Sequence, residues 1–344
     1  MAEVNRSASD LSAALAAASD GQFAEDDTLA VAVSGGADSL ALLRLAHEAY
    51  GSRVRVLTVD HGLRSGSAGD AAHVAQCAAQ LNLSHATLTW TGPKRAGNVQ
   101  AAARGARYRL MADWCAAHGG RWLVTAHHAD DQAETLLLRL ARGSGSAGLA
   151  GIRRRRELGG GVTLLRPLLD WRRSDLAAVV TAAGWTAVDD PANRATRFDR
   201  TQARALLAAT PWLRPERLAA AAAHLAEGET ALAWTAALAW SSRAEVKSGG
   251  AALDAAGLPG ELQRRLLVRM VATLAPGVDA SGPSVERWRT LLVAGRRATL
   301  GGITGVGGSI WRFGIAPPRR RVRDQAAATL TGIPPGKQIG GDGR

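Results

Sequence analysis

A chain of 344 residues with ordinary apolar content is long enough for two or three domains and a sizeable core. Its formal charge of +12 is almost all arginine, since only Lys94, Lys247 and Lys337 are lysines, and it favours an anionic partner such as nucleic acid. The two cysteines, Cys77 and Cys115, lie in apolar helical patterns, which argues against a disulfide framework or a cysteine metal site. With no basic-then-apolar leader and no apolar run of membrane-spanning length, the chain reads as soluble, cytoplasmic and free of the membrane.

Residues 1–27 read as an N-terminal extension, a short helix over Leu11–Ala18 followed by an acidic linker. Next comes Thr28-Leu-Ala-Val-Ala-Val-Ser-Gly-Gly-Ala-Asp-Ser39, in which Val31 and Val33 mark a strand buried on both faces. Gly35 and Gly36 permit a tight turn, and Asp38 and Ser39 open a helix carrying Leu42, Leu43 and Leu45. Strands are then expected at Arg53–Asp60, Ser84–Trp90 and Arg121–Ala126, and helices at Ala71–Leu81, Asn98–His118 and Asp130–Arg142. Strands alternating with helices predict an α/β domain on a parallel, doubly wound sheet, with ligands at the carboxyl ends of the strands. Ser34, Asp60 with His61, and His127 with His128 all fall at such ends.

Composition shifts near Pro211, so the α/β domain is placed at 28–211 and a mainly helical second domain at 212–316. Leu218, Leu225, Leu232 and Leu238 set the helical period of the second domain, and its glycine-rich end suits a small hairpin. Residues 317–344 are basic, then rich in Pro and Gly, and read as a disordered tail.

A strand, glycine turn and helix start aim several backbone N–H groups at one point, which suits phosphate. Ser34, Gly35, Gly36, Ala37 and Ser39 can donate hydrogen bonds there, without the lysine of a Walker A loop. Asp38 cannot donate when ionised, and beside phosphate it suits Mg²⁺. The competing reading is an ordinary turn with a helix cap. In His127-His-Ala-Asp-Asp-Gln-Ala-Glu134 the spacing puts Asp130, Asp131 and Glu134 on one helix face, where they can hold Mg²⁺ or an ammonium group. Acids complementing a helix dipole are the bland alternative. Arg104 and Arg107 lie on one helix and can meet phosphate or charge developing in a transition state, or else form a solvated face. Arg153–Arg156 and the group Arg194, Arg197, Arg200 and Arg204, with Trp185 and Phe198 near the second, suit RNA phosphates with base stacking.

Together these segments resemble the tRNA(Ile)-lysidine synthases, members of the PP-loop ATPase superfamily, which has a Rossmann-like sheet. The resemblance rests on Ser34–Ser39, Val59-Asp-His-Gly-Leu-Arg64, Ala102-Ala-Arg-Gly-Ala-Arg-Tyr108 and Thr125-Ala-His-His-Ala-Asp-Asp-Gln-Ala-Glu-Thr135. It extends through Arg142-Gly-Ser-Gly145, Gly148–Ile152, Arg166-Pro-Leu-Leu169 and Asp190-Pro-Ala-Asn193. These motifs keep the family's order over roughly residues 28–213; Thr201 stands where the family's RNxIR pattern has asparagine.

The resemblance implies that ATP adenylates the C2 oxygen of the wobble cytidine in an isoleucine tRNA with a CAU anticodon. The ε-amine of free lysine then displaces AMP and leaves lysidine. It implies an ATP site at Ser34–Ser39, Asp60 and His61, and catalytic roles for Asp38, Arg104, Arg107, Asp131 and Glu134. Asp130, Asp131 and Glu134 would hold lysine or metal, and Arg142, Arg194, Arg197, Arg200 and Arg204 would contact tRNA, with the second domain gripping the tRNA body. Monomer and homodimer both stay open. The rivals are a tRNA thiolase on the same fold, disfavoured by the absence of a Cys-x-x-Cys pair, and a non-catalytic RNA-binding protein that kept a nucleotide pocket.

Overall fold

The computed structural model describes residues 6–63, 66–92, 99–188, 198–280 and 282–316. The motif Asp190–Asn193, Arg194, Arg197 and the tail 317–344 lie outside the described residues. The chain forms two compact units, Met1–Ala231 and Leu232–Arg344.

The first unit begins with α1 (Ala8–Ala18), started by a capping box in which Ser7 and Asp10 satisfy each other's backbone amides. It continues through β1 (Leu29–Ala32), α2 (Ala37–Tyr50), β2 (Val54–Asp60), α3 (Ser67–Gln80), β3 (Ser84–Thr89), α4 (Val99–Ala117), β4 (Trp122–Val124) and α5 (Ala129–Ala141). The expected strands and helices of this stretch are all present, most ending a residue or two away from their sequence bounds. Then follow α6 (Ser146–Leu149), β5 (Arg155–Gly159), β6 (Val162–Leu165), α7 (Arg173–Ala182), α8 (Phe198–Ala209) and α9 (Pro215–Arg243), which runs on into the second unit.

The six-stranded sheet has the order β3-β2-β1-β4-β6-β5, with β5 alone antiparallel to its neighbour. The sheet is doubly wound, as expected. Its order reverses between β1 and β4, which is where such sheets open a ligand crevice. Leu29, Val31, Val56, Trp122 and Val124 pack on one face with α1, α2, α3 and α7. Ala30, Leu57, Leu123, Val162 and Leu164 pack on the other with Tyr108, Met111, Ala112 and Cys115 of α4. This alternation is the period-two geometry of strands buried on both sides.

The β5–β6 hairpin is an addition to the expected elements. Arg155 and Arg156 give β5 the look of a solvated basic run, yet they pair with Leu165 and Leu164 across the ladder.

The second unit holds the end of α9, then β7 (Ala244–Lys247), β8 (Gly250–Asp254), α10 (Gly260–Leu274), α11 (Gly282–Val293), β9 (Arg297–Leu300), β10 (Ile303–Val306) and β11 (Ile310–Ile315). Helices predominate, but the strands form a five-stranded antiparallel sheet in the order β7-β8-β11-β10-β9, more than the one hairpin expected. Leu253, Leu267, Met270, Trp288, Ile303 and Trp311 form its core, and Trp288 meets Phe313 edge-on at 5.4 Å. The division between units falls within α9, later than the composition shift at Pro211, because one helix carries the chain across it. Among the described residues no helix is long and apolar enough to cross a membrane.

Candidate active site

The turn after β1 is held from within. Ser34 N donates to Ser39 Oγ at 3.1 Å, and Ser39 Oγ donates to the Gly36 carbonyl at 2.9 Å. Gly35 has φ +85°, a left-handed conformation, and a Cβ there would lie 3.1 Å from Val188 Cγ2. Val188 N donates to the Gly35 carbonyl at 2.9 Å, so the segment after α7 braces the turn. Gly36 is the N-cap of α2 and makes no side-chain cap hydrogen bond, leaving the first-turn amides of Ala37 and Asp38 without that partner. Preformed amides at a helix start are suited to a phosphate.

Beside this loop lies an alternating array of charges centred on His128, which is 1% exposed. Its Nε2 is 3.4 Å from Asp38 Oδ2 and 3.7 Å from Asp131 Oδ2, and its Nδ1 is 3.6 Å from Asp130 Oδ2. Burial opposes a charged ring, but Asp130, Asp38 and Asp131 outweigh it and push His128 up to about 10. The residue is an imidazolium at neutral pH. Burial would raise the Asp38 carboxyl, but His128 and Arg173 hold it below the ordinary value. Asp130 faces the same opposition from burial and lies well below the carboxylate range, held by His128, the Arg173 amide and Arg172.

Asp130 and Asp131 of α5 therefore meet at His128, whereas Glu134 is paired with Arg204. Asp130 accepts from Arg172 Nε at 3.2 Å and from Arg173 N at 2.9 Å. Asp131 caps the helix by accepting from His128 N at 3.2 Å. Glu134, 3% exposed, accepts from Arg204 Nε of α8 at 2.5 Å. Arg172 also reaches Glu216 Oε2 at 3.0 Å, and Arg173 reaches Asp38 Oδ2 at 3.4 Å. No group of three or more metal-holding side chains occurs among the described residues. Asp38 Oδ1 is nevertheless buried without a hydrogen-bond partner, an oxygen left for a cation.

Across the strand ends, Asp60 Oδ1 accepts from Gly62 N at 2.8 Å and shapes the turn after β2. His61 Nε2 accepts from Arg107 Nε at 3.2 Å. Burial and Arg107 lower His61 to about 4, so it is neutral. His127, whose Nδ1 is 2.9 Å from Thr125 Oγ1, falls to about 3, with burial the main cause. The paired histidines thus differ in charge, His128 cationic among three carboxylates and His127 neutral through burial.

Of the expected site residues, the structure brings Ser34–Ser39, Asp60, His61, Arg107, Asp130, Asp131 and Glu134 to the carboxyl ends of β1, β2 and β4. Arg104 is on the same helix as Arg107, its guanidinium 5.9 Å from the Tyr108 ring centroid. Arg204 is engaged by Glu134, Arg200 is half-buried on α8, and Arg142 is exposed at the end of α5. Four contributors escaped sequence reasoning: His128 as a cation, Arg172, Arg173 and Glu216. Asp170-Trp-Arg-Arg173 had a local signal, two arginines directly before a helix, but nothing in it names Asp130 or Asp38 as partners.

Comparison with known proteins fits this geometry. The model of the PP-loop domain matches residues 5–210. The chain is 43% identical over 296 residues to the tRNA(Ile)-lysidine synthase of Zymomonas mobilis subsp. mobilis, covering 85% of this chain and 90% of that protein. It is 44% identical over 298 residues to the enzyme of the same name from Novosphingobium aromaticivorans, with 85% and 90% covered. The Methylobacterium nodulans enzyme is 43% identical, with 84% and 91% covered. Among solved structures, the U34-tRNA thiolase NcsA from Methanococcus maripaludis is similar in fold, with a TM-score of 0.53, 14% identity, and 63% of this chain and 79% of that chain covered. Matched along most of its length by these relatives and across its first unit by the PP-loop domain, the chain belongs to the tRNA(Ile)-lysidine synthase family.

Proposed function

We propose that the protein attaches free lysine to the C2 position of the wobble cytidine in an isoleucine tRNA with a CAU anticodon, using ATP and releasing AMP and pyrophosphate. The observation that carries this reading is the meeting, at one rim of the sheet, of the phosphate loop, the His127–Glu134 segment and the Asp60–His61 turn in a chain of this family.

In the first half-reaction the cytosine C2 oxygen attacks the α-phosphorus of ATP, and the bond to pyrophosphate breaks. The loop amides at Gly35–Ala37 and the Ser34 hydroxyl hold the departing pyrophosphate while Ser39 Oγ braces the turn through the Gly36 carbonyl, and Arg107 faces the negative charge that develops on the phosphoryl oxygens. In the second, the lysine ε-amine attacks C2, the C2–O bond breaks, and AMP leaves. Asp131 and Glu134 hold the incoming ammonium, Glu134 while paired with Arg204, and Asp131 takes up the proton that the nitrogen gives up so that the free amine can attack. Asp38, whose buried Oδ1 has no hydrogen-bond partner, would hold Mg²⁺, which would supply neutralisation of phosphate charge. His128, already protonated, keeps Asp38, Asp130 and Asp131 ionised and spaced rather than accepting a proton. Arg142 and Arg200 extend the basic surface toward RNA. The reaction belongs in the cytoplasm, where tRNA, ATP and lysine meet.

A thiolase reading is weakened by the cysteines. Cys77 and Cys115 are buried and unpaired, and burial pushes the Cys115 thiol up to about 11, the reverse of what a sulfur-carrying thiolate needs. The deciding experiment gives purified protein ATP, labelled lysine and an unmodified isoleucine tRNA transcript. Label in the RNA with equimolar AMP is the expected result; ATP binding without incorporation overturns the reading.

A further inference from the structure

On the sheet face opposite α2, two guanidinium groups lie over one phenol ring and a third lies close to it. Arg104 of α4 and Arg156 of β5 lie 5.9 Å and 5.8 Å from the Tyr108 ring centroid. Arg166, directly after β6, is only 4% exposed and lies near Tyr108, whose side chain favours its charged form. One Arg166 hydrogen bond goes to the Arg153 carbonyl at 2.6 Å, and its Nε is buried with no partner at all. None of the three arginines has a carboxylate partner among the described residues. The contrast with Arg172, Arg173 and Arg204, each paired with an acid, is sharp.

A buried guanidinium without an anion leaves a large desolvation cost uncompensated, and a fold keeps such a group where a ligand supplies the missing charge. Planar guanidinium forks are shaped for phosphate oxygens. Arg104 and Arg156 are exposed, so a polymer can reach them, while Arg166 anchors the floor. Tyr108 packs with the strand residues facing α4, whereas the phosphate loop leads into α2 on the other face. The two anion sites therefore flank the strand ends from opposite sides, and one triphosphate already has its cradle in the loop.

We propose that Arg104, Arg156 and Arg166, gathered around Tyr108, bind a backbone phosphate of the RNA strand next to the base being modified. This rests on the reading of the protein as an RNA-modifying enzyme. Holding a phosphate there places the neighbouring base across the strand ends from the nucleotide loop.

The test measures binding of the unmodified isoleucine tRNA transcript, and of its isolated anticodon stem-loop, over a salt series, with ATP affinity measured in parallel. Arg156→Ala, an exposed position, is expected to weaken both RNAs about tenfold and to lower the salt slope by about one, with ATP affinity unchanged. Arg166→Gln should do the same where it folds. Unchanged RNA affinity and slope in Arg156→Ala overturns the proposal. A loss of ATP affinity alone assigns the site to the nucleotide's phosphates and overturns it as well. A loss with whole tRNA but not with the stem-loop overturns the placement beside the reacting base. Lysine incorporation by the wild-type protein is scored separately: its absence sinks the functional reading, whereas incorporation with Arg156→Ala binding RNA normally sinks only this one.

Discussion

Asp38 Oδ2 and His128 Nε2 stand 3.4 Å apart, joining the phosphate loop after β1 to the helix start after β4 across the point where the strand order reverses. The contact lowers Asp38 and, together with Asp130 and Asp131, raises His128, and Asp38 Oδ1 is left without a hydrogen-bond partner. Asp38→Ala should abolish AMP formation while tRNA still binds, which AMP chromatography and filter binding of labelled tRNA can read side by side. Undiminished AMP release would remove Asp38 from the chemistry.

The pH dependence of stability follows from the histidines. His128 titrates near 10 when folded and near 6.5 when unfolded, so the folded state binds more protons between these values. Its contribution is complete below about pH 6.5 and is lost as pH rises toward 10. His61 and His127 work in the opposite sense, with folded values of about 4 and about 3. Their contribution is present above 6.5 and is lost as pH falls through those values. Thermal melts across pH should show the alkaline loss shrink in His128→Gln and the acid loss shrink in His61→Gln. An alkaline limb equally steep in His128→Gln would refute the imidazolium.

Glu134 and Arg204 make a pair in which the carboxylate is 4% exposed and the guanidinium 37%. Removing the arginine strands a buried charge, whereas removing the acid leaves a guanidinium that water can reach. Arg204→Ala is therefore expected to cost about 2 kcal/mol of stability, more than Glu134→Gln, as denaturant midpoints can measure. Glu134→Gln should instead raise the KM for lysine about tenfold and leave that for ATP alone, tenfold being one charge-assisted contact of ~1.4 kcal/mol. An unchanged KM for lysine would exclude Glu134 from amine binding.

At Gly35 the left-handed backbone and the nearness of Val188 act together. Gly35→Ala should strain the loop by about 1–2 kcal/mol and weaken ATP binding by about tenfold, a change calorimetry resolves. A companion Val188→Ala change relieves the side-chain contact but not the φ +85°, so only part of the affinity should return.

The lysine-free phosphate loop and the alternation of strands with helices were legible because they depend on neighbours a few residues apart. The ladder partners of Arg155 and Arg156 were not, since an arginine run looks alike on a solvated face and on an edge strand. The acids of α5 share a helical face by spacing, as read, yet that spacing is silent on which arginine each would meet.

The sequence by itself determined the α/β class, the phosphate loop and the family, all of which live in local pattern and composition. Only the tertiary structure decided that His128 is charged while His127 is neutral, that Asp130 belongs to Arg172 and Arg173, and that Arg166 is buried without an anion. Charge states and pairings follow from distance and desolvation between groups far apart in the chain, and those quantities exist only once the sheet has brought the strand ends together.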